Sequence, residues 1–128
     1  MEKVTYAKVV GGALTGLISA LFGTMDAFFY GLLFCIAADY VTGILAAVYE
    51  QKLDSRVGFR GVLKKIVILT IVSLAHFLGE LTEIPALRDL VIGFYIANES
   101  LSILENATRM QIPCTDKLKD VLKQLKDK

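Results

Sequence analysis

Long uncharged stretches alternate along this chain with short charged ones, and the first stretch, Val9 to Met25, lies between Lys8 and Asp26. Its seventeen residues are the lower limit for a helix crossing a hydrocarbon core of about 30 Å. The second, Ala27 to Tyr49, is longer and interrupted only by Asp39. It opens on Phe28, Phe29 and Tyr30, which suit a membrane interface. The third, Ile66 to Gly79, has fourteen uncharged residues and reads either as a buried or interfacial helix or as a span lengthened by snorkelling Lys64 and Lys65. The fourth runs from Leu90 to about Ala107 and carries Asn98, Glu99, Ser102, Glu105 and Asn106, the most polar of the set. Blocks this long and continuous predict helices, because barrel strands are about ten residues with alternating polarity.

Charge placement tests this division independently, since Lys and Arg are retained on the cytoplasmic side of short loops. With four spans and both termini inside, thirteen of the fourteen basic residues fall on one side and only Arg88 on the other. Lys52, Arg56, Arg60, Lys64 and Lys65 form the inside loop between spans two and three. Asp26, Glu80, Glu83 and Asp89 accompany Arg88 outside. A two-span arrangement spoils this separation. The expected architecture is all-α and polytopic: residues 1–112 form four transmembrane helices in two hairpins, and residues 113–128 form a cytoplasmic basic tail. The glycines of Ser55-Arg56-Val57-Gly58-Phe59-Arg60-Gly61 predict a tight turn in the inside loop, with Arg56 and Arg60 facing anionic headgroups. Beyond Pro113, Thr115 or Asp116 can cap a short helix striped by Leu118, Val121, Leu122 and Leu125. That stripe suits anionic lipid, a second copy, or a solvated tail.

Composition agrees with a membrane setting: 55% of the 128 residues are hydrophobic, and the mean hydropathy is +0.57. A net charge of +1 gives no reason to expect nucleic acid as a partner. The lysines before the first block resemble a signal peptide, but no small-residue cleavage site follows. Cys35 and Cys114 are far apart and read as unpaired thiols. With one His and two distant Cys there is no metal-ligand cluster, and no phosphate loop or nucleophile elbow appears, so neither a cofactor nor an enzyme is expected.

Two features invite function. Gly12, Gly16 and Ala20 recur every four residues in span one, with Thr15, Ser19 and Gly23 as a second row. Such rows let helices approach closely in lipid, either within one bundle or between subunits of a homo-oligomer. Gly43 has the same relation to Asp39 and Ala47 on span two. The second feature is acidic. A carboxylate at mid-membrane costs about 2.5–3.5 kcal/mol even on insertion scales, and neither Asp39 nor Glu99 has a Lys or Arg within its own span. The acids must be neutralised, hydrogen-bonded by neighbours, or facing water. Tyr95, Glu99, Ser102 and Asn106 fall along one helical face. The segments Phe34 to Asp39 and Phe94 to Glu99 also match weakly, as parallel hairpins would. His76 in span three is a possible donor to one acid. Two readings stay open: a pore-lining polar stripe, or a hydrogen-bond network internal to the bundle.

The order of landmarks resembles the bacteriophage holin family, which includes clostridial toxin-secretion holins. The residues that carry it are Asp39 and Gly43; Lys52, Ser55, Gly58, Gly61, Lys64 and Lys65; Tyr95; the run Asn98-Glu99-Ser100-Leu101-Ser102-Ile103-Leu104-Glu105-Asn106; and Ile112-Pro113. The likeness covers roughly residues 30 to 125 and leaves span one without a motif. It implies a protein that accumulates in the bacterial cytoplasmic membrane, oligomerises with itself, and opens lesions through which an endolysin or a toxin passes. The alternatives are a small ion or proton channel or transporter using the intramembrane carboxylates, and a membrane anchor with a recruiting tail.

Overall fold

A computed structural model describes residues 1–113 and 116–127; Cys114, the cap expected at Thr115, and Lys128 lie outside the described residues. Among these residues there are five helices and no strand: α1 (Glu2–Phe22), α2 (Ala27–Tyr49), α3 (Ser55–Leu81), α4 (Ala86–Arg109) and α5 (Asp116–Asp127). Three of them, α1, α2 and α3, are long and apolar enough to cross a membrane. The 24 residues of α4 suffice in length, about 36 Å. Arg88, Asp89, Glu99, Glu105 and Arg109 keep it out of that apolar class.

The largest departure from the sequence expectation is in α3. Ser55 to Gly61 forms no glycine turn but the first two turns of a 27-residue helix. The Asp54 carboxylate caps it, accepting the Arg56 N–H at 2.9 Å. Gly58 and Gly61 each cost a helix about 1 kcal/mol relative to alanine, and here they lie against the Tyr40 side chain of α2. The short third block is therefore the second half of a much longer helix.

Three helix ends close in the same way. Gln51, Glu83 and Gln111 have φ of 57°, 58° and 61°, and the following N–H groups of Lys52, Ile84 and Ile112 return to the carbonyls of Ala47, Gly79 and Ala107 at 2.8, 2.8 and 3.0 Å. This is a Schellman closure with a non-glycine residue in the left-handed position. In α3 and α4 the next residue is proline, Pro85 and Pro113, which cannot continue the helix. The α3–α4 turn is tight: a methyl group added at Gly79 would stand 2.8 Å from the Ile84 carbonyl oxygen.

Helix α4 is the hub, packed along both α2 and α3, which barely touch one another. Phe29 and Leu32 of α2, Val72 of α3 and Ile92 of α4 make the closed apolar core. Near it, Arg88 is only 7% exposed. Its guanidinium donates to the carbonyls of Phe22 (2.6 Å) and Thr24 (2.7 Å) and to the carboxylates of Asp26 (3.0 Å) and Asp89 (2.9 Å). It also lies 5.9 Å from the Phe29 ring centroid. Arg88, within the first turn of α4, is thus a buried tie. Arg88 starts α4 and Asp26 caps α2, so the tie brings the starts of these two helices together and they run parallel. The Arg88 hydrogen bond, followed by the Phe29 N–H, holds the Asp26 carboxyl below the usual carboxylate range.

Helix α1 differs from the rest in having no buried residue. It leans on α3, with Ser73 Oγ donating to the Leu21 carbonyl at 2.9 Å and Phe22 stacked on Phe29 at 5.0 Å. Those contacts are confined to its last turn and a half.

Candidate functional site: a charged cluster between three helices

Asp39 lies ten residues before the end of α2 at Tyr49, Glu99 ten before the end of α4 at Arg109, and Lys65 ten after the start of α3 at Ser55. At 1.5 Å per residue all three stand about 15 Å from the same end of the bundle, half the depth of a hydrocarbon core. There they meet. The Lys65 ammonium donates to both Asp39 Oδ2 and Glu99 Oε2. Glu99 is only 3% exposed, and the Asp39 and Lys65 side chains are little more so.

The earlier start of α3 takes Lys65 out of the loop. Placed in a loop, it belonged to a basic headgroup patch; placed eleven residues into a helix, it reaches the acids of both neighbours. The cation that neither acidic span contains comes from the third helix, which is a correction to the reading of Lys65 as a cytoplasmic loop residue. The signal available in the sequence was Asp54, a capping residue ahead of a helix-compatible run.

Asn106 extends the cluster toward the end of the bundle. Its Nδ2 donates to Asp39 Oδ1 (3.1 Å), to the Asp39 carbonyl (3.2 Å) and to Thr42 Oγ1 (2.9 Å). The Thr42 hydroxyl in turn donates to the Ala38 carbonyl at 2.8 Å. Arg109 donates to Asn106 Oδ1 at 3.3 Å and to Glu50 Oε1 at 2.6 and 2.9 Å. A continuous polar ladder therefore runs from Glu99 through Lys65, Asp39, Asn106 and Arg109 to Glu50. Among the described residues no buried side-chain nitrogen or oxygen lacks a hydrogen-bond partner.

Beside the ladder, between α2, α3 and α4, opens a cleft of about 650 Å³. Asp39, Asn98, Glu99, Ser102 and Asn106 line it, with Gly43 and Lys65. A methyl added at Gly43 would meet Asn106 Nδ2 at 3.6 Å, so this glycine lies where α2 and α4 approach. Arg60 and Lys64 also line it, whereas Lys52 and Arg56 do not.

Three candidates lie elsewhere. Tyr95 is half-buried against the apolar core and meets Phe94 edge-on at 5.2 Å, rather than joining Glu99 on the polar face. Glu105 is exposed and does not line the cleft. His76 faces Glu80 at 3.6 Å and lies beside Gly23 and Arg88 near the α1–α2 turn, at the opposite end from the acids. A proton or hydrogen bond passing directly from His76 to Asp39 or Glu99 has no support in this geometry. In α1, Gly12 and Gly16 face open space, and Ala20 borders the grooves near α3. Cys35 is a free thiol 3.6 Å from Ser100 Oγ, between α2 and α4.

An uncharacterized protein of Listeria monocytogenes is 40% identical over 124 residues, 95% of this chain and 86% of the relative. An uncharacterized 14.9 kDa protein of Clostridium perfringens is 37% identical over 127 residues, 98% and 96% of the two chains. The YtkC protein of Bacillus subtilis, also uncharacterized, is 34% identical over 108 residues, 84% and 81%. No solved structure matches the chain. The bacteriophage holin family model matches residues 16–127, from the middle of α1 through α5, and so takes in the whole charged cluster. With three long apolar helices, an ion-paired cluster that joins two of them to α4, and that match over most of its length, this membrane protein belongs to the bacteriophage holin family.

Proposed function

We propose that the protein is a holin: a non-enzymatic homo-oligomer of the bacterial cytoplasmic membrane whose lesions release an endolysin or a secreted toxin. Family membership over residues 16–127 is the observation that carries this reading. The proposed topology has four spans with both termini cytoplasmic. Its support is the distribution of Lys and Arg and the way α4 hides its polar face. Glu99 and Asn106 are buried against α2 and α3, while Leu90 and Phe94 are left outward for lipid.

In this reading the cluster holds the resting bundle together, and the lesion forms when subunits rearrange and its carboxylates face water. Support comes from the charge count: one ammonium serves two carboxylates, so a closed bundle carries a polar seam ready for hydration. The oligomer is supported by α1, whose glycine row meets no atom of its own chain. Inducing the full chain in bacteria together with a cytoplasmic muralytic enzyme should release that enzyme and clear the culture. Collapse of the membrane potential without enzyme release would sink the holin reading. That outcome would favour the second one, a small ion or proton channel, which the cleft reaching the cluster supports. For assembly, Gly12→Cys or Gly16→Cys in a chain freed of Cys35 and Cys114 should form disulfide-linked dimers in membranes.

A further inference from the structure

We infer that the mouth of the α2–α3 cleft binds the headgroup phosphate of one anionic phospholipid, held by Arg60 and Lys64 of α3 and the Tyr40 hydroxyl of α2. The inference rests on the membrane placement of the helices and is independent of lesion formation.

Three observations converge on that chemistry. First, α3 has 27 residues and a length of about 40 Å, some 10 Å more than a hydrocarbon core. With Lys65 about 15 Å from the Ser55 end, that end stands level with the core boundary and the excess lies at the Leu81 end; Arg60 and Lys64 follow Ser55 by five and nine residues, and their side chains, tilted toward the helix N-terminus, snorkel back along the cleft toward the headgroups.

Second, the cations of the cleft divide sharply by partner. Lys65 is committed to Asp39 and Glu99, and Arg109 to Glu50. Arg60 and Lys64, four residues apart and so on one face of α3, have no carboxylate partner among the described residues, yet both line the cleft. The Tyr40 hydroxyl is similarly without a hydrogen-bond partner among the described residues. It lies against the first turn of α3, where a methyl added at Gly58 would meet it at 3.5 Å. A guanidinium, an ammonium and a phenolic hydroxyl around one opening are donors without an acceptor, and a phosphodiester supplies acceptors and the missing negative charge.

Third, the walls fit a lipid rather than a free anion. Ile44, Leu53, Val57 and Ile68 line the same cleft, and it opens where α2 and α3 barely approach one another. An acyl chain can lie along that apolar gap while the phosphate stays at the rim.

The full chain, purified in detergent and exchanged into nanodiscs of phosphatidylcholine with or without phosphatidylglycerol, tests this by native mass spectrometry. The expected result is one phosphatidylglycerol retained per chain after mild delipidation. Arg60→Gln/Lys64→Gln should lower that retention about tenfold, the loss of two charge-assisted contacts offset by residual surface attraction. Lys52→Gln/Arg56→Gln removes the same charge from α3's exposed approach and should change retention less than about twofold. Circular dichroism of both pairs checks that the helices remain. Equal loss in the two pairs would reduce the effect to diffuse surface charge and overturn the site. No retained lipid in the unaltered chain, or displacement of the lipid by millimolar inorganic phosphate alone, would overturn the lipid assignment.

Discussion

Removing the cation from the buried cluster should cost far more than removing either anion. Lys65→Met keeps the length of the side chain but leaves Asp39 and Glu99 facing each other with no counter-charge, both largely shielded from solvent. Breaking a buried pair by deleting one partner costs about 3–5 kcal/mol, and here one deletion orphans two groups. The converse changes are milder because the ammonium is shared. Glu99→Gln leaves Lys65 paired with Asp39 and reduces the negative excess, so its cost should stay within about 1 kcal/mol. Asp39→Asn keeps Lys65 on Glu99 and leaves an amide oxygen for Asn106, whose contact with Asp39 is 3.1 Å; about 1–2 kcal/mol is expected. The triple variant Asp39→Asn/Lys65→Met/Glu99→Gln should recover most of the Lys65→Met loss, since replacing a whole buried charge group is commonly near neutral. Unfolding of each variant in lipid–detergent bicelles, titrated with dodecyl sulfate and followed by circular dichroism, gives the four values. A Lys65→Met loss no larger than that of Glu99→Gln would refute the shared-ammonium argument. In cells, Asp39→Asn and Glu99→Gln should change lysis timing with insertion intact; unchanged timing in both would confine the acids to a structural role.

Other expectations follow from the helix ends and turns. Gly79→Ala would push a methyl to 2.8 Å from the Ile84 carbonyl, forcing the α3–α4 turn apart; about 1–3 kcal/mol of destabilisation should appear in the same titration. Gln51→Gly and Gln111→Gly relieve left-handed strain at φ of 57° and 61°, and each should raise stability by about 0.5–1 kcal/mol. At the α1–α2 turn, Asp26 has a lowered folded pKa. Its contribution is therefore present above the ordinary carboxylate range and is lost as pH falls through the folded value. Amide protection around residues 23–29 should drop below about pH 4, and Asp26→Asn should abolish that pH dependence. A variant that kept the acid-linked loss would exclude Asp26 as its source.

How much of this was written in the pattern of residues differs from helix to helix. Block length found α1, α2 and the second half of α3, because crossing a membrane imposes a length that single residues cannot hide. The polar face of Glu99, Ser102 and Asn106 was legible from helical spacing, and these three do share a cleft with Asp39. Two things were not. Glycines at 58 and 61 looked like turn residues, because a helix start depends on one capping side chain, Asp54, that weighs little against two glycines. The partner of the acids was sought within their own helices, whereas Lys65 arrives from a third one through tertiary packing. Arg88 illustrates the same limit: its five hydrogen bonds to Phe22, Thr24, Asp26 and Asp89 are a property of the assembled bundle. Gln-Ile-Pro at 111–113 and Glu-Ile-Pro at 83–85 could have been read as paired helix stops, since each closes a helix in the same way.

The bare flank of α1 has a thermodynamic corollary. Ahead of Ile18 this helix buries nothing against its own bundle, so that stretch surrenders no internal contact when its surroundings change from lipid to another protein. Its exchange between those two neighbours is then decided by how many chains share a given area of bilayer, and only weakly by the stability of the fold. Mutations that strengthen or loosen the α2–α4 body should accordingly leave the crowding threshold for α1 contact where it was, while a single larger side chain at Gly12 or Gly16 should move it.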